Sequence, residues 1–301
     1  MARAAGVETR RRGAGARKTT AATLTFRNNI MAAGMNDRVA ERTVADFGQQ
    51  WTAYRDNRGY YGSLEMWRDM FGPLLSPEDL AGRRVLDIGS GTGRIVAMLL
   101  AAGAAHVTAV EPSAAFDVLR ENLAPEAGRV TFLRLAGDAI PAGLDVEYAF
   151  SVGVLHHIPD PDPVVRAAYA ALRPGGRMGV WLYGREGNGF YLALLTPLRA
   201  VTKRLPHALL AGLVRLIDLP LVAYVTLCRA LPLPLGRYMR EVVGRLDPAK
   251  RRLTIYDQLN PAYAKYYRRD EATSLFARAG FEHIAVHHRH GYSWSIVCTK
   301  P

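Results

Sequence analysis

The segment Asp87-Ile88-Gly89-Ser90-Gly91-Thr92-Gly93 sets three glycines at alternate positions directly after the apolar Val85-Leu86. Glycines so placed let a chain turn sharply from strand to helix while its backbone closely approaches a ligand at the helix N-terminus. The sixth position of a dinucleotide fingerprint takes Gly or Ala. Here it is Arg94, so the spacing argues against a nicotinamide dinucleotide. Two further acids stand at comparable stations, Glu111 after the apolar run His106–Val110 and Asp138 after Val130–Leu135. Taken singly, Asp87 would serve to accept hydrogen bonds from the glycine loop, and Glu111-Pro112-Ser113 would serve as a helix start. Their order along the chain is what carries information. Histidines occur as His156-His157 and as His287-His288-Arg289-His290. On a strand His288 and His290 share a face, His287 points away, and Arg289 adds repulsion, so no metal site is expected there. Tyr263, Tyr266 and Tyr267 fit a core or interface as readily as a ligand wall.

These residues need elements to hold them. Arg84–Ile88 followed by Arg94–Ala102 and a stop at Gly103 predicts strand, glycine loop and helix. The alternation then repeats. Strand His106–Val110 leads to helix Ala114–Leu123, strands Val130–Leu135 and Tyr148–Gly153 to helix Pro163–Leu172, and strand Arg177–Leu182 follows. Asp162-Pro163 reads as an N-cap with proline at the first helical position. Such spacing predicts an α/β, doubly wound, mostly parallel sheet with helices on both faces. N-terminal helices are expected over 36–83, preceding a core at 84–183. After Tyr183 the pattern breaks for about 85 residues, too long for a structureless loop. Three apolar stretches, Phe190–Leu205, Pro206–Leu219 and Pro220–Leu231, read as proline-punctuated helices of an insertion spanning 184–268. Helix Asp270–Ala279 and strands Glu282–His288 and Ser293–Thr299 return to the core over 269–301.

The 301 residues, 49% of them hydrophobic, suffice for one core with an attachment. The net charge of +12 has two sources: six Lys/Arg against one acid in residues 1–18, and fourteen against five in 184–268. The glycine-loop core is therefore not itself basic, which weakens a nucleic-acid reading. Residues 1–35 are expected to be a disordered basic tail. Cys228 and Cys298 form neither a disulfide framework nor a metal spacing, and a cytoplasmic location is the simplest expectation. No run supplies the roughly 18 uncharged apolar residues of a spanning helix, so a soluble chain is expected.

In its glycine segment, its strand-end acids and the stretch Phe150-Ser151-Val152-Gly153-Val154-Leu155-His156-His157-Ile158-Pro159, the chain resembles the class I S-adenosylmethionine-dependent methyltransferases, small-molecule type. The likeness covers residues 84–183 closely and 270–299 in outline. It implies a seven-stranded sheet with an antiparallel last strand and a helical insertion after strand five. It also implies S-adenosylmethionine as cofactor, with Asp87, Gly89, Ser90, Gly91 and Gly93 around its methionine part. Glu111 would meet the ribose hydroxyls, and Asp138 and Ala139 the adenine. His156 and His157 become candidates for contact with the methyl acceptor, with Tyr263, Tyr267, His290 and Tyr292 as further walls. The acceptor is expected to be a small molecule, partly apolar, with an anionic group met by arginines such as Arg199, Arg204, Arg215 and Arg229. The alternative is a membrane-held lipid or prenyl-type acceptor, with peripheral membrane contact through the insertion. Nucleic acid is disfavoured, because the strand-four exit lacks the Asn/Asp-Pro-Pro-aromatic signature of amine-methylating members.

Overall fold

The computed structural model describes residues 37–301; the tail expected over 1–35 lies outside them. Seven strands form one sheet: β1 (Arg84–Ile88), β2 (His106–Val110), β3 (Val130–Leu133), β4 (Val146–Val152), β5 (Leu172–Tyr183), β6 (Glu282–Arg289) and β7 (Ser293–Thr299). Their order is β3-β2-β1-β4-β5-β7-β6, with β7 antiparallel to both neighbours and the remaining pairs parallel. The expected doubly wound fold is therefore present. In β1 every residue after Arg84 is buried, as a central strand covered on both faces requires.

One face of the sheet is covered by α2 (Leu64–Phe71), α3 (Arg94–Ala101) and α4 (Ala115–Asn122). There Trp67 packs against Phe71 and Phe150 with ring centroids 4.9 Å apart in each pair. Such aromatic pairs contribute about 0.5–1.5 kcal/mol each beyond their buried area. The other face carries α5 (Asp162–Ala171) and α10 (Arg269–Ala277). Asp162 is the first residue of α5, not its N-cap; Pro161 holds that place and no side chain caps the helix. Strand order reverses between β2 and β4 on either side of β1, which opens a crevice beyond the carboxyl ends of the parallel strands.

A first helix, α1, occupies 37–53. The insertion contains α6 (Gly189–Thr202), α7 (His207–Ala230), α8 (Gly236–Glu241) and α9 (Pro248–Leu259). Two of the stretches that the prolines separate in the sequence are one helix: α7 runs for 24 residues through Pro220. Proline forfeits one helical hydrogen bond, but tertiary contacts hold both sides of it. On the N-terminal side Leu210 and Val214 pack with Ile255, Tyr256 and Leu259 of α9. On the C-terminal side Val225 and Cys228 lie against the backbone of Gly244 and Gly236. By length and composition α7 could cross a membrane, although Arg215, Asp218 and Arg229 interrupt it and its longest uncharged stretch is 219–228.

Candidate active site

A cavity of about 830 Å³ lies in the crevice and continues beneath the insertion. At one end its wall is the glycine loop, Glu111 and Asp138; at the other it is formed by side chains from α6 to α9.

The glycine loop is built by necessity. Gly89 has φ +77°, and a Cβ there would come within 2.5 Å of Val154 Cγ2, so only glycine fits without displacement. Glu111 braces the loop from the end of β2. Its Oε2 accepts from the Gly91 N–H at 2.8 Å and its Oε1 from the Ser113 N–H at 2.9 Å. Each carboxylate oxygen keeps a further lone pair for a hydroxyl in the cavity. Asp87 is fully buried. Its Oδ2 has no hydrogen-bond partner among the described residues, and burial pushes its carboxyl up to about 7. Asp87 and Gly93 stand behind the cavity wall, whereas Gly89, Ser90 and Gly91 form it. Asp138 also lines the cavity, but Ala139, next to it on the same turn, does not. The glycine loop and the strand-end carboxylate fit a ligand with a ribose, and the buried acid behind the loop suits a ligand that is cationic on the cavity side, as S-adenosylmethionine is.

The two histidines of the strand-four exit part company. His156 is 0% exposed, stacks on Tyr183 at 3.8 Å, and is off the cavity wall. Neither of its ring nitrogens has a partner among the described residues, and burial holds its pKa well below the ordinary value. It packs, and the expectation that it meets the acceptor is corrected. His157 lines the cavity, and its Nδ1 lies 2.9 Å from the Tyr263 carbonyl oxygen. A carbonyl only accepts, so Nδ1 carries the proton and Nε2 is left as an acceptor. Burial lowers the pKa of His157 and keeps the ring neutral near pH 7.

Tyr263 contributes its carbonyl and not its ring, and Tyr267 is turned away from the cavity. The segment before α10 is extended, so successive side chains alternate, and Tyr266 is the one that faces inward. His290 is also off the wall. It lies in the turn after β6, where its Nε2 sits 2.6 Å from Asp69 Oδ1. Tyr292 does line the cavity, and its hydroxyl accepts from Arg289 Nη1 at 2.6 Å.

Several wall residues went unnoticed in the sequence. Asp257 on α9 accepts from the Tyr183 hydroxyl at 2.8 Å and from Gln50 Nε2 of α1 at 3.1 Å. Gln258 donates to the Tyr183 hydroxyl at 2.7 Å and accepts from Tyr191 at 2.9 Å and Tyr266 at 3.0 Å. Trp51 of α1 stands over the loop, its Nε1 3.5 Å from where a Cβ on Gly91 would be. The one sequence signal for this network is a polar pair, Asp257-Gln258, between the apolar Ile255-Tyr256 and Leu259.

The arginines expected to receive an anion are elsewhere. Arg204, Arg215 and Arg229 are off the cavity wall, as is Arg199, which donates to the Gln258 carbonyl and the Tyr266 hydroxyl. Three arginines line the wall: Arg251 and Arg289 are each paired to a carboxylate, Asp218 and Asp69, whereas Arg94 has no salt bridge among the described residues and lies over the Tyr61 ring at 4.3 Å.

Comparison with known proteins bears on the same stretch of chain. Residues 86–178 match the model of a methyltransferase domain family. The chain is 39% identical over 122 residues to a tRNA U34 carboxymethyltransferase of Chromohalobacter salexigens, covering 38% of this chain and 36% of that protein. It is 32% identical over 122 residues to a ubiquinone biosynthesis O-methyltransferase of Marinobacter nauticus, covering 38% of this chain and 50% of that one. The matched part thus spans half or less of these relatives. Among solved structures, a SAM-dependent methyltransferase from Aquifex aeolicus is 12% identical with a TM-score of 0.46, over 84% of this chain and 98% of that one.

Proposed function

We propose that this chain, whose core is a class I S-adenosylmethionine-dependent methyltransferase domain, methylates a hydroxyl of a largely apolar, lipid-type acceptor seated beneath the insertion. The observation that carries the reading is the continuity of one cavity from the glycine loop and Glu111 to the apolar walls of α6 and α7. When bound, the cofactor supplies an electrophilic methyl group on a sulfonium. The chain has then to orient the acceptor, exclude water and take up a proton.

Glu111 and the Gly89–Gly91 backbone hold the ribose side, and α1 covers the loop with Trp51. The insertion closes the remaining side with Leu194, Leu198, Ile217 and Leu221, which suit an aliphatic body. His157 Nε2 would take the acceptor's hydroxyl proton while the oxygen gains the methyl group and the breaking C–S bond returns its electron pair to sulfur, leaving a neutral thioether; the Tyr263 carbonyl holds the neutral ring in the needed tautomer. An anionic acceptor group is not part of this reading, because beneath the insertion Arg251 and Arg289 already have carboxylate partners, and the remaining wall arginine, Arg94, belongs to the glycine-loop end and lies over Tyr61. Relatives named for tRNA and for ubiquinone biosynthesis match this chain over equal lengths, and it is the apolar inner wall that favours a lipid-type acceptor over a tRNA.

The test uses labelled S-adenosylmethionine with a catechol carrying a short prenyl tail. Transfer to the catechol oxygen is expected, and His157→Gln should lower kcat by about 10²–10⁴ with cofactor affinity unchanged by calorimetry. Undiminished kcat in the variant removes the proposed base. Cofactor binding without transfer to any such phenol removes the acceptor class.

A further inference from the structure

The insertion has a second apolar face, turned outward. Among the described residues, the exposed large apolar side chains all lie between Phe190 and Leu231. Phe190 is 73% exposed on α6, and Leu216 and Leu219 are 66% and 70% exposed on α7, with Leu209 and Leu227 on the same helix. Exposed large apolar side chains gathered on two helices neighbouring in sequence call for a partner.

Charge says which partner. From Gly187 to Arg240 the chain carries seven Lys/Arg, and its one acid is Asp218. That acid is buried beneath Arg251 and Arg252 and shows no negative charge outward. Arg204, Arg215 and Arg229 are exposed beside the leucines. An apolar face rimmed by cations fits the boundary between the headgroups and acyl chains of an anionic bilayer: leucines enter the acyl region while guanidinium groups stay with the phosphates. A second copy of the chain fits less well, because two such cationic rims would face each other across the contact.

The structure of α7 suits lying along a bilayer surface better than crossing it. Although α7 is long and apolar enough to span, Asp218 at its middle is bonded to Arg251 and Arg252, and its other face packs on α9. Crossing would strip that pairing from a carboxylate in hydrocarbon. The cavity opens where the face begins. Leu194 and Leu198 on α6 line the cavity and are also 61% and 40% exposed, so one row of side chains is both inner wall and outer surface.

We propose that the outer face of α6 and α7 docks on anionic lipid bilayers and presents the cavity mouth to the acyl layer, so that an acceptor enters from the membrane. The docking is read without turnover, so it stands or falls separately from the methyl-transfer reading. The full chain is floated with vesicles of phosphatidylcholine alone and with about a quarter phosphatidylglycerol, at roughly 0.15 M and about 0.5 M salt. Binding to the anionic vesicles is expected, weakened by salt. A Phe190→Ser, Leu216→Ser, Leu219→Ser variant should bind at least about tenfold less, with melting temperature and cofactor affinity retained. The proposal is overturned if the wild-type chain stays in buffer with both vesicle types. It is overturned equally if the variant floats as well as the wild type, which would assign attachment to another surface such as the basic residues 1–18. A wild-type dimer that ignores vesicles and is dissociated by the three substitutions would give the face to a second copy instead.

Discussion

The sheet core and the insertion bury apolar residues by different rules. In the core, β1, β2 and β4 have mostly buried side chains; Asp87 and Ser151 sit near strand ends and Glu111 just beyond β2, with Thr108 the one buried polar side chain in mid-strand. In the insertion, α7 turns Leu210, Val214 and Val225 inward while Leu209, Leu216 and Leu219 face out. Its middle is pinned by an ion pair where the core would use packing alone. A fold that must be self-sufficient hides its apolar surface. A segment that leaves it open is built for contact with something else, and its attachment to the core should be separable from the core's own stability.

The largest expected effect tests that separation. Asp218→Ala leaves Arg251 and Arg252 without their carboxylate, and breaking a buried pair destabilises by about 3–5 kcal/mol. The low end, about 3 kcal/mol, is expected here because the Arg252 side chain is 41% exposed and water reaches one side of the pair. The loss should be confined to 189–259, seen as faster amide exchange there with little change over β1 to β4. Cofactor affinity should stay within a few-fold, since neither Glu111 nor the glycine loop touches Asp218. A collapse of cofactor binding would mean that insertion and core unfold as one unit.

The same contrast explains what could be read from the sequence. The glycine segment and Glu111 are legible because a strand-to-helix turn demands local chemistry, and period-two and period-3.6 patterns mark the flanking elements. The α1 cover and the Asp257 network are not. Gln50 meets Asp257 across 207 positions, and no local pattern encodes a contact at that separation. The continuity of α7 was hidden for a related reason: Pro220 signals a helix end locally, and only contacts with α8 and α9 override it. Tyr263 and Tyr267 point away and Tyr266 inward because the segment is extended, and a one-residue shift in an extended chain swaps its faces.

A smaller effect probes the core's orphaned acid. Asp87 holds its proton up to about pH 7 because burial disfavours the charged form. A cation bound on the cavity side of the glycine loop, in front of that buried carboxyl, favours its ionised form and so displaces the proton. Below pH 7 the displacement opposes binding, and above it the carboxyl is already ionised. Cofactor affinity should therefore rise by up to about tenfold per pH unit toward pH 7 and level off beyond it. Calorimetry in buffers of different ionisation enthalpy should show proton release on the acid side. Asp87→Asn should flatten the profile. A profile unchanged in that variant would leave Asp87 only the bracing of the loop.

The smallest effect is the one that most sharply divides the two regions. Leu219 is among the most exposed side chains of α7, so Leu219→Ser removes no buried contact. In buffer it should change stability by less than about 0.5 kcal/mol, as surface substitutions do. For a domain of this size that corresponds to a melting shift of no more than about 2 °C. Truncating a β1 leucine such as Leu86, which is fully buried, removes contacts on every side and leaves a cavity, a loss of about 2–5 kcal/mol. With anionic vesicles present the order changes. A surface that binds only the folded chain stabilises it in proportion to occupancy, so the wild-type melting temperature should rise and that of Leu219→Ser should rise less. A drop of several degrees for Leu219→Ser in buffer alone would show the outward face already packed against protein in solution, and the distinction between a closed core and an open insertion would fail.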